Sequence, residues 1–454
     1  MNETSLRELF ERVTETEPPI GPVVQRGIRA GIRLRRRRRM QNALAGLAAV
    51  AVVAAAVAAA TSIRGSLGAQ TAASGGSGTL YVFSSPTNDP VAGANSEAGA
   101  VTPIQVATNT PGTPVELSPG AFPAMTATPD GKTIYVSDGI NAVLPVSTAT
   151  GTAGKPISLG SPGEDNPAAD IVAAPDGKTV YVLGMHGSLI PISTATNTPG
   201  SPIRPQGQTS FGPVAITPDG KTLYVSVGSQ SQTGGYVIPI STATDKPGKP
   251  ISFPGGIDNI LIAPDGKTAY VIGGVPTPAS DFSDKITVTP ISTATNTAGR
   301  TVIAGTAYVE NSAMMTPDGQ HIYVATANPF SLIQFSTATN SAGRQISFGS
   351  SEIMALAAAP DGQTVYVASE LNRNDSTRCP GVVTPVATAT GKPGKPVQVA
   401  CTPNALAVTP DGKTVYVASY DSGHGVVTPI ATATDQPGTP IPVDGDPSVM
   451  LITP

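Results

Sequence analysis

The octapeptide PDGKTVYV occupies residues 175 to 182 and recurs letter for letter at 410 to 417. Close variants follow the other Pro-Asp-Gly triplets, which begin at Pro129, Pro218, Pro264, Pro317 and Pro360, so successive triplets stand 43 to 53 residues apart. Such a period marks stacked supersecondary units, none of which can bury its apolar face alone. It also gives meaning to the 49 Gly and 45 Pro among 454 residues. Scattered, they would suggest disorder; periodic, they mark turns.

One unit, 404 to 443, resolves into four strand-like runs, NALAVTP, TVYVAS, GVVTPIATAT and PGTPIPV, divided by turn residues. Four short strands in a unit of this length describe a β-propeller blade. In the triplet, Pro presets φ for a type I turn, Asp bonds backbone amides, and Gly supplies the left-handed residue that closes the hairpin. Asp130, Asp176, Asp219, Asp265, Asp318, Asp361 and Asp411 are therefore expected to be structural turn residues. Seven identical carboxylates on separate blades suit no single catalytic centre. Eight of the eleven tyrosines share one repeat position (Tyr81, Tyr135, Tyr181, Tyr224, Tyr270, Tyr323, Tyr366 and Tyr416) and are expected to pack between blades.

The ends of the repeat region complement each other. GTLYV at 78 to 82 is a second strand without its first, and SVMLITP at 448 to 454 is a first strand without its second. Together they complete one blade. The expectation is an all-β propeller of eight four-stranded blades, with seven as the fallback count, closed by pairing of its terminal strands. Proline recurs in the third strand at Pro103, Pro145, Pro191, Pro239, Pro290, Pro385 and Pro429. Each is expected at a bulge or where the missing amide points away from its neighbours.

PDGKTLYV at 218 to 225, followed by PISTAT and the Gly-x-Pro-Ile strand at 248 to 251, resembles the YVTN-type β-propeller repeat of bacterial surface proteins and lactonase-like propellers. The resemblance covers residues 79 to 454. It implies a binding platform or surface component, and in some members an enzyme. The family usually carries an acid before Thr-Ala-Thr. Here Ser147, Ser193, Ser241, Ser292 and Ser336, or Ala387 and Ala431, stand there, so no role is assigned to that position.

Ahead of the repeats, residues 43 to 60 read ALAGLAAVAVVAAAVAAA, without a charge, after the five consecutive arginines Arg35 to Arg39. At about 1.5 Å per residue an 18-residue helix spans about 27 Å, close to the hydrocarbon thickness of a bilayer. The arginines should stay cytoplasmic. The reading is a basic cytoplasmic tail (1–39), a single-pass signal anchor (40–63), a flexible linker (64–78) and a propeller (79–454) outside a bacterial cell membrane. A cleavable export signal is the rival, since Ala58, Ala59 and Ala60 offer a cleavage site. Ser5 to Glu8 has the form of a capping box, and Leu6, Leu9, Phe10 and Val13 share one helical face, where a cytoplasmic partner could bind. Beyond residue 39 the chain carries 17 basic and 26 acidic residues, which opposes nucleic acid binding.

Antiparallel strands place the Pro-Asp-Gly and Thr-Ala-Thr turns on one face, and the second-to-third-strand loops with the blade connections on the other. The second face varies, as ELNRNDSTRCPG at 370 to 381 and GGVPTPASDFSDK at 273 to 285 show. Variable loops on a fixed scaffold are how binding surfaces are usually built. Cys379 and Cys401 both belong to this face and are expected to form a disulfide outside the cytoplasm.

Asp170, Asp258, Glu310, Glu352 and Asp446 stand near the starts of innermost strands. They are either candidates around the axial channel mouth for a divalent cation such as calcium, or separately solvated loop acids. No other cofactor is expected. His186, His321 and His424 fall in different blades, and the chain lacks His-Glu-x-x-His, Cys-x-x-Cys, Gly-x-Ser-x-Gly and P-loop motifs. A non-enzymatic binding or scaffolding module is the expected function. A lactonase-like hydrolase and a transmembrane sensor acting through residues 1–39 are the alternatives.

Overall fold

In the computed structural model the described residues are 78–85, 99–119, 124–139, 141–160, 168–184, 187–204, 211–228, 234–277, 284–327, 329–371, 381–421 and 423–453. The expected tail, the anchor, the linker up to residue 77, and also His186 and Cys379 lie outside them. Among the described residues no helix is long and apolar enough to cross a membrane.

Eight antiparallel blades follow one another, numbered by their second strands: Thr79–Ser85, Thr133–Asp138, Thr179–Gly184, Thr222–Gly228, Thr268–Pro276, His321–Ala327, Thr364–Leu371 and Thr414–Asp421. Blade 1 is the composite. Thr79–Ser85 pairs with Ala100–Gln105 on one side and with Asp446–Thr453 on the other, setting Tyr81 opposite Leu451 and Val82 opposite Met450. Each innermost strand packs on the next around the ring, and Asp446–Thr453 touches both Pro403–Val408 and Met125–Ala127. The circle is complete at eight blades. Blades 5 and 6 share Val302–Met315, whose first part pairs as the outermost strand of one and whose second part pairs as the innermost strand of the other.

Side-chain alternation along each strand assigns the core. Ile134 and Val136 pack with Tyr81 and Phe83 of blade 1, whereas Tyr135 faces Ile171, Val180 and Val182 of blade 3. Eight apolar clusters result, one at each boundary between blades. Val, Ile, Leu and Ala fill most of them, with the tyrosine as the one bulky repeat residue. Each fully buried aliphatic side chain contributes roughly 1.5–3 kcal/mol, so a chain with 4% aromatics still builds an ample core.

The repeat motif proves to be a three-part staple. In blade 2 Asp130 Oδ1 accepts from the Thr128 hydroxyl at 2.7 Å and from the Lys132 amide at 3.1 Å, and the Gly131 amide closes the turn on Thr128 O. Gly131 sits at φ 69°, where a Cβ would be strained. The first Thr of Thr-Ala-Thr then ties this turn to the next one outward: Thr148 Oγ1 donates to Gly131 O at 2.7 Å. The same bond recurs from Thr194, Thr242, Thr293, Thr337, Thr388 and Thr432 to the triplet glycines of their own blades. Blades 2 to 8 are all stapled this way.

The third-strand prolines obey the second of the two expectations. Pro145 faces Tyr135 without a break in register, and Pro145 O accepts the Gly154 amide from the outermost strand. Nitrogen and carbonyl of one residue point to the same side of a strand, so the proline nitrogen also faces outward. There the outermost strand is interrupted by Gly-x-Pro, and no ladder bond is lost. A Cβ on Gly154 would lie 3.1 Å from Pro145 Cγ, which explains glycine opposite proline.

Candidate functional site

The loop face is shaped by a shared irregularity. In seven blades the pairing of innermost and second strands shifts near its loop end, for instance between Phe83 and Ser84, Ile257 and Asn259, Ile353 and Ala355, and Pro403 and Ala405. A bulge turns the innermost strand and leaves one residue outside the ladder, a common way to re-aim a side chain. Asp258 and Asn404 are such residues.

Two of the five expected acids brace neighbouring innermost strands. Asp170 is 6% exposed, and its carboxylate accepts from the Ile171 amide at 2.8 Å and from the Val214 amide of blade 4. Burial pushes its pKa up to about 6 against these two bonds. Asp446 is half-buried in blade 1 and accepts from Asn404 Nδ2 of blade 8 at 2.8 Å. Asn404 reaches Pro447 O as well, at 3.2 Å. Burial likewise raises Asp446 to about 6, opposed by the Asn404 bond. A carboxyl raised by burial and held by a fixed partner is the kind of group that functional sites carry.

Glu352 lies directly across the ladder from Glu370 within blade 7. Asp258 occupies the blade 5 bulge, and Glu310 lies between Val309 and Ala313 in the blade 6 innermost strand. Among the described residues no three His, Cys, Asp or Glu side chains converge closely enough to hold a metal ion. His424 faces Asp421 at the tip of the blade 8 hairpin, while His321 lies beside the blade 6 turn on the opposite face. Cys401, at the loop-face exit of blade 7, is not a free thiol.

Two contributors were not singled out from sequence. Asn404 is one; an Asn just before an apolar strand start carries no signal of its partner in the next blade. Asp138 is the other. It is 5% exposed and accepts the Ser118 amide, fastening the connection from blade 1 onto blade 2.

This architecture defines the class: an eight-bladed β-propeller of four-stranded blades. No family model matches the chain and no curated protein matches it. Among solved structures, Kuenenia stuttgartiensis hydrazine synthase is similar over 57% of this chain and 75% of its own, at 20% identity and a TM-score of 0.46. The dihydro-heme d1 dehydrogenase NirN, solved in complex with DHE, is similar over 85% of this chain and 77% of its own, at 12% identity and a TM-score of 0.62. At 12% identity the likeness to NirN is one of fold.

Proposed function

We propose that this chain is a YVTN-type propeller held outside a bacterial cell membrane by residues 40–63, where it works as a non-enzymatic binding or scaffolding module. The partner, a protein or small ligand, meets the loop face. The supporting observation is the contrast between the faces. On the turn face the same threonine-to-glycine staple recurs in blade after blade, as Thr148 to Gly131 and Thr432 to Gly412 illustrate. On the loop face the hairpins differ in length, from Thr268–Pro276 with Asp284–Ser292 to Thr133–Asp138 with Ala142–Ser147. Sameness suits assembly and difference suits recognition.

Capture experiments with the whole chain as bait, against a variant whose 372–380 segment is replaced by a two-residue turn, test this reading. Loss of partners in the variant supports it, and an unchanged partner set contradicts it. Deleting residues 1–34 while keeping the arginines tests the sensor alternative, which requires cytoplasmic partners to be lost.

The hydrolase alternative draws on one observation, the Asp446 carboxyl raised to about 6 and held by Asn404. Turnover of lactones or esters that Asp446→Asn abolishes would replace the binding reading. Calcium at the loop-face acids requires the melting temperature to rise on calcium addition.

A further inference from the structure

The outermost segments of the blades carry a one-sided charge. Those of blades 4 to 7, residues 242–255, 293–305, 337–350 and 388–402, hold Lys246, Lys249, Arg300, Arg344, Lys392 and Lys395 against a single carboxylate, Asp245. That carboxylate is engaged by the Tyr181 hydroxyl. The equivalent segments of blades 8 and 1, residues 432–445 and 107–120, hold Asp435, Asp444 and Glu116 and no Lys or Arg. The segments of blades 2 and 3 add one cation each, Lys155 and Arg204, so the positive charge is densest over those of blades 4 to 7 and absent from those of blades 8 and 1.

The six cations are all exposed. None of them forms an ion pair with a described carboxylate, whereas Lys132, Lys178, Lys221, Lys267 and Lys413 each pair with the aspartate of their own turn. Position fixes which way the arc faces. Lys246 lies opposite Ser241 and Lys392 opposite Ala387, the last residues of their third strands, on the turn face. Lys249, Arg300, Arg344 and Lys395 share the Gly-x position just beyond, near the middle of the outer edge. Arg344 also donates to Thr390 O of blade 7, which continues the arc across that boundary.

The chain enters the propeller on this same face. Gly78 O accepts from the Val106 amide, and Thr79 faces Gln105 at the turn end of the third strand. In the tethered reading residues 64–77 join this face to the anchor, so the turn face is the one that meets the bilayer.

We propose that the turn-side rim of blades 4 to 7 rests on anionic lipid headgroups of the membrane that holds the tether, so that the loop face points outward. This rests on the tethered reading above. Unpaired surface cations gain from an anionic leaflet within about a Debye length and lose that gain in salt.

The test uses the full chain mixed with vesicles of phosphatidylcholine alone or with phosphatidylglycerol, acylated by a membrane-impermeant amine reagent and mapped by peptide mass spectrometry. Lys246, Lys249, Lys392 and Lys395 should react several-fold more slowly on the anionic vesicles and recover in high salt. Lys285, on the loop face, should react equally on both. Equal rates for the four rim lysines, or equal slowing of Lys285, overturn the proposal. Stronger protection by soluble polyphosphate without vesicles also overturns it, in favour of an anionic polymer. Release of the chain by alkaline carbonate from both vesicle types would contradict the tether alone, because the acylation ratio still decides the rim.

Discussion

The Tyr135 hydroxyl donates to Asn197 Oδ1 at 2.6 Å, across the boundary between blades 2 and 3. Asn197 holds the left-handed position of its turn at φ 53°. The same latch joins Tyr224 to Asn296 and Tyr416 to Asn109 at 2.6 Å, and Tyr181 to Asp245 at 3.4 Å. Where blade 7 has Gly391 at that position, Gln334 replaces the third-strand proline of blade 6 and bonds both Tyr323 and Thr388 O. The repeat therefore encodes contacts between blades as well as turns within them.

Tyr224→Phe should lower stability by about 0.5–1.5 kcal/mol, the net value of one hydrogen bond whose acceptor is then left unpaired. Asn296→Gly keeps the left-handed turn and should cost a similar amount. A double-mutant cycle in denaturant should show the double variant losing no more than either single one. Full additivity would contradict the latch.

Asp170 gives stability a definite pH dependence. Its folded pKa, about 6, lies above the ordinary carboxylate value of 3.8, so its contribution is full below pH 3.8 and is lost as pH rises through 6. Two units correspond to at most about 3 kcal/mol. Relative to Asp170→Asn, the parent protein should lose stability between pH 4 and 7. Asp446, more exposed, should behave the same way with smaller amplitude. A constant difference across this range would contradict the assignment.

Asp130 and Asp219 are held below the usual carboxylate range, chiefly by the Thr128 and Thr217 hydroxyls. Their stabilisation is present above the unfolded value and is lost as pH falls through their folded values. Thr128→Ala should make acid unfolding begin at higher pH, as circular dichroism would record.

We further expect Cys379 and Cys401 to be linked to each other. The intact mass should rise by two protons on reduction, and a loop of this length typically adds about 3 kcal/mol when closed. Two thiols that alkylate without reductant would contradict the pairing.

The turn triplets, the tyrosine positions and the closing blade were legible in the sequence, because each is written in residues that repeat. Tyr81 lacks a preceding strand and Leu451 a following one, and they face each other across the ladder. The fate of the loop-face acids was not legible. Asp170 and Asp446 look alike in sequence, yet one accepts a backbone amide from Val214 and the other a side chain from Asn404. Both partners lie in a neighbouring blade, and linear offset from a turn proline carries no information about that boundary. The bulges were hidden for a related reason: Asp258, Met354 and Asn404 occupy the same irregular place with no residue type in common.

Removing residues 446–454 tests the account most directly, because every blade depends on a ring closed by Asp446–Thr453 against Thr79–Ser85. Thermal unfolding of the shortened protein should shift down by many degrees and broaden, as blade 1 loses its innermost strand and blade 8 the strand packed on its own. An unchanged, equally sharp transition would contradict the closed eight-bladed ring.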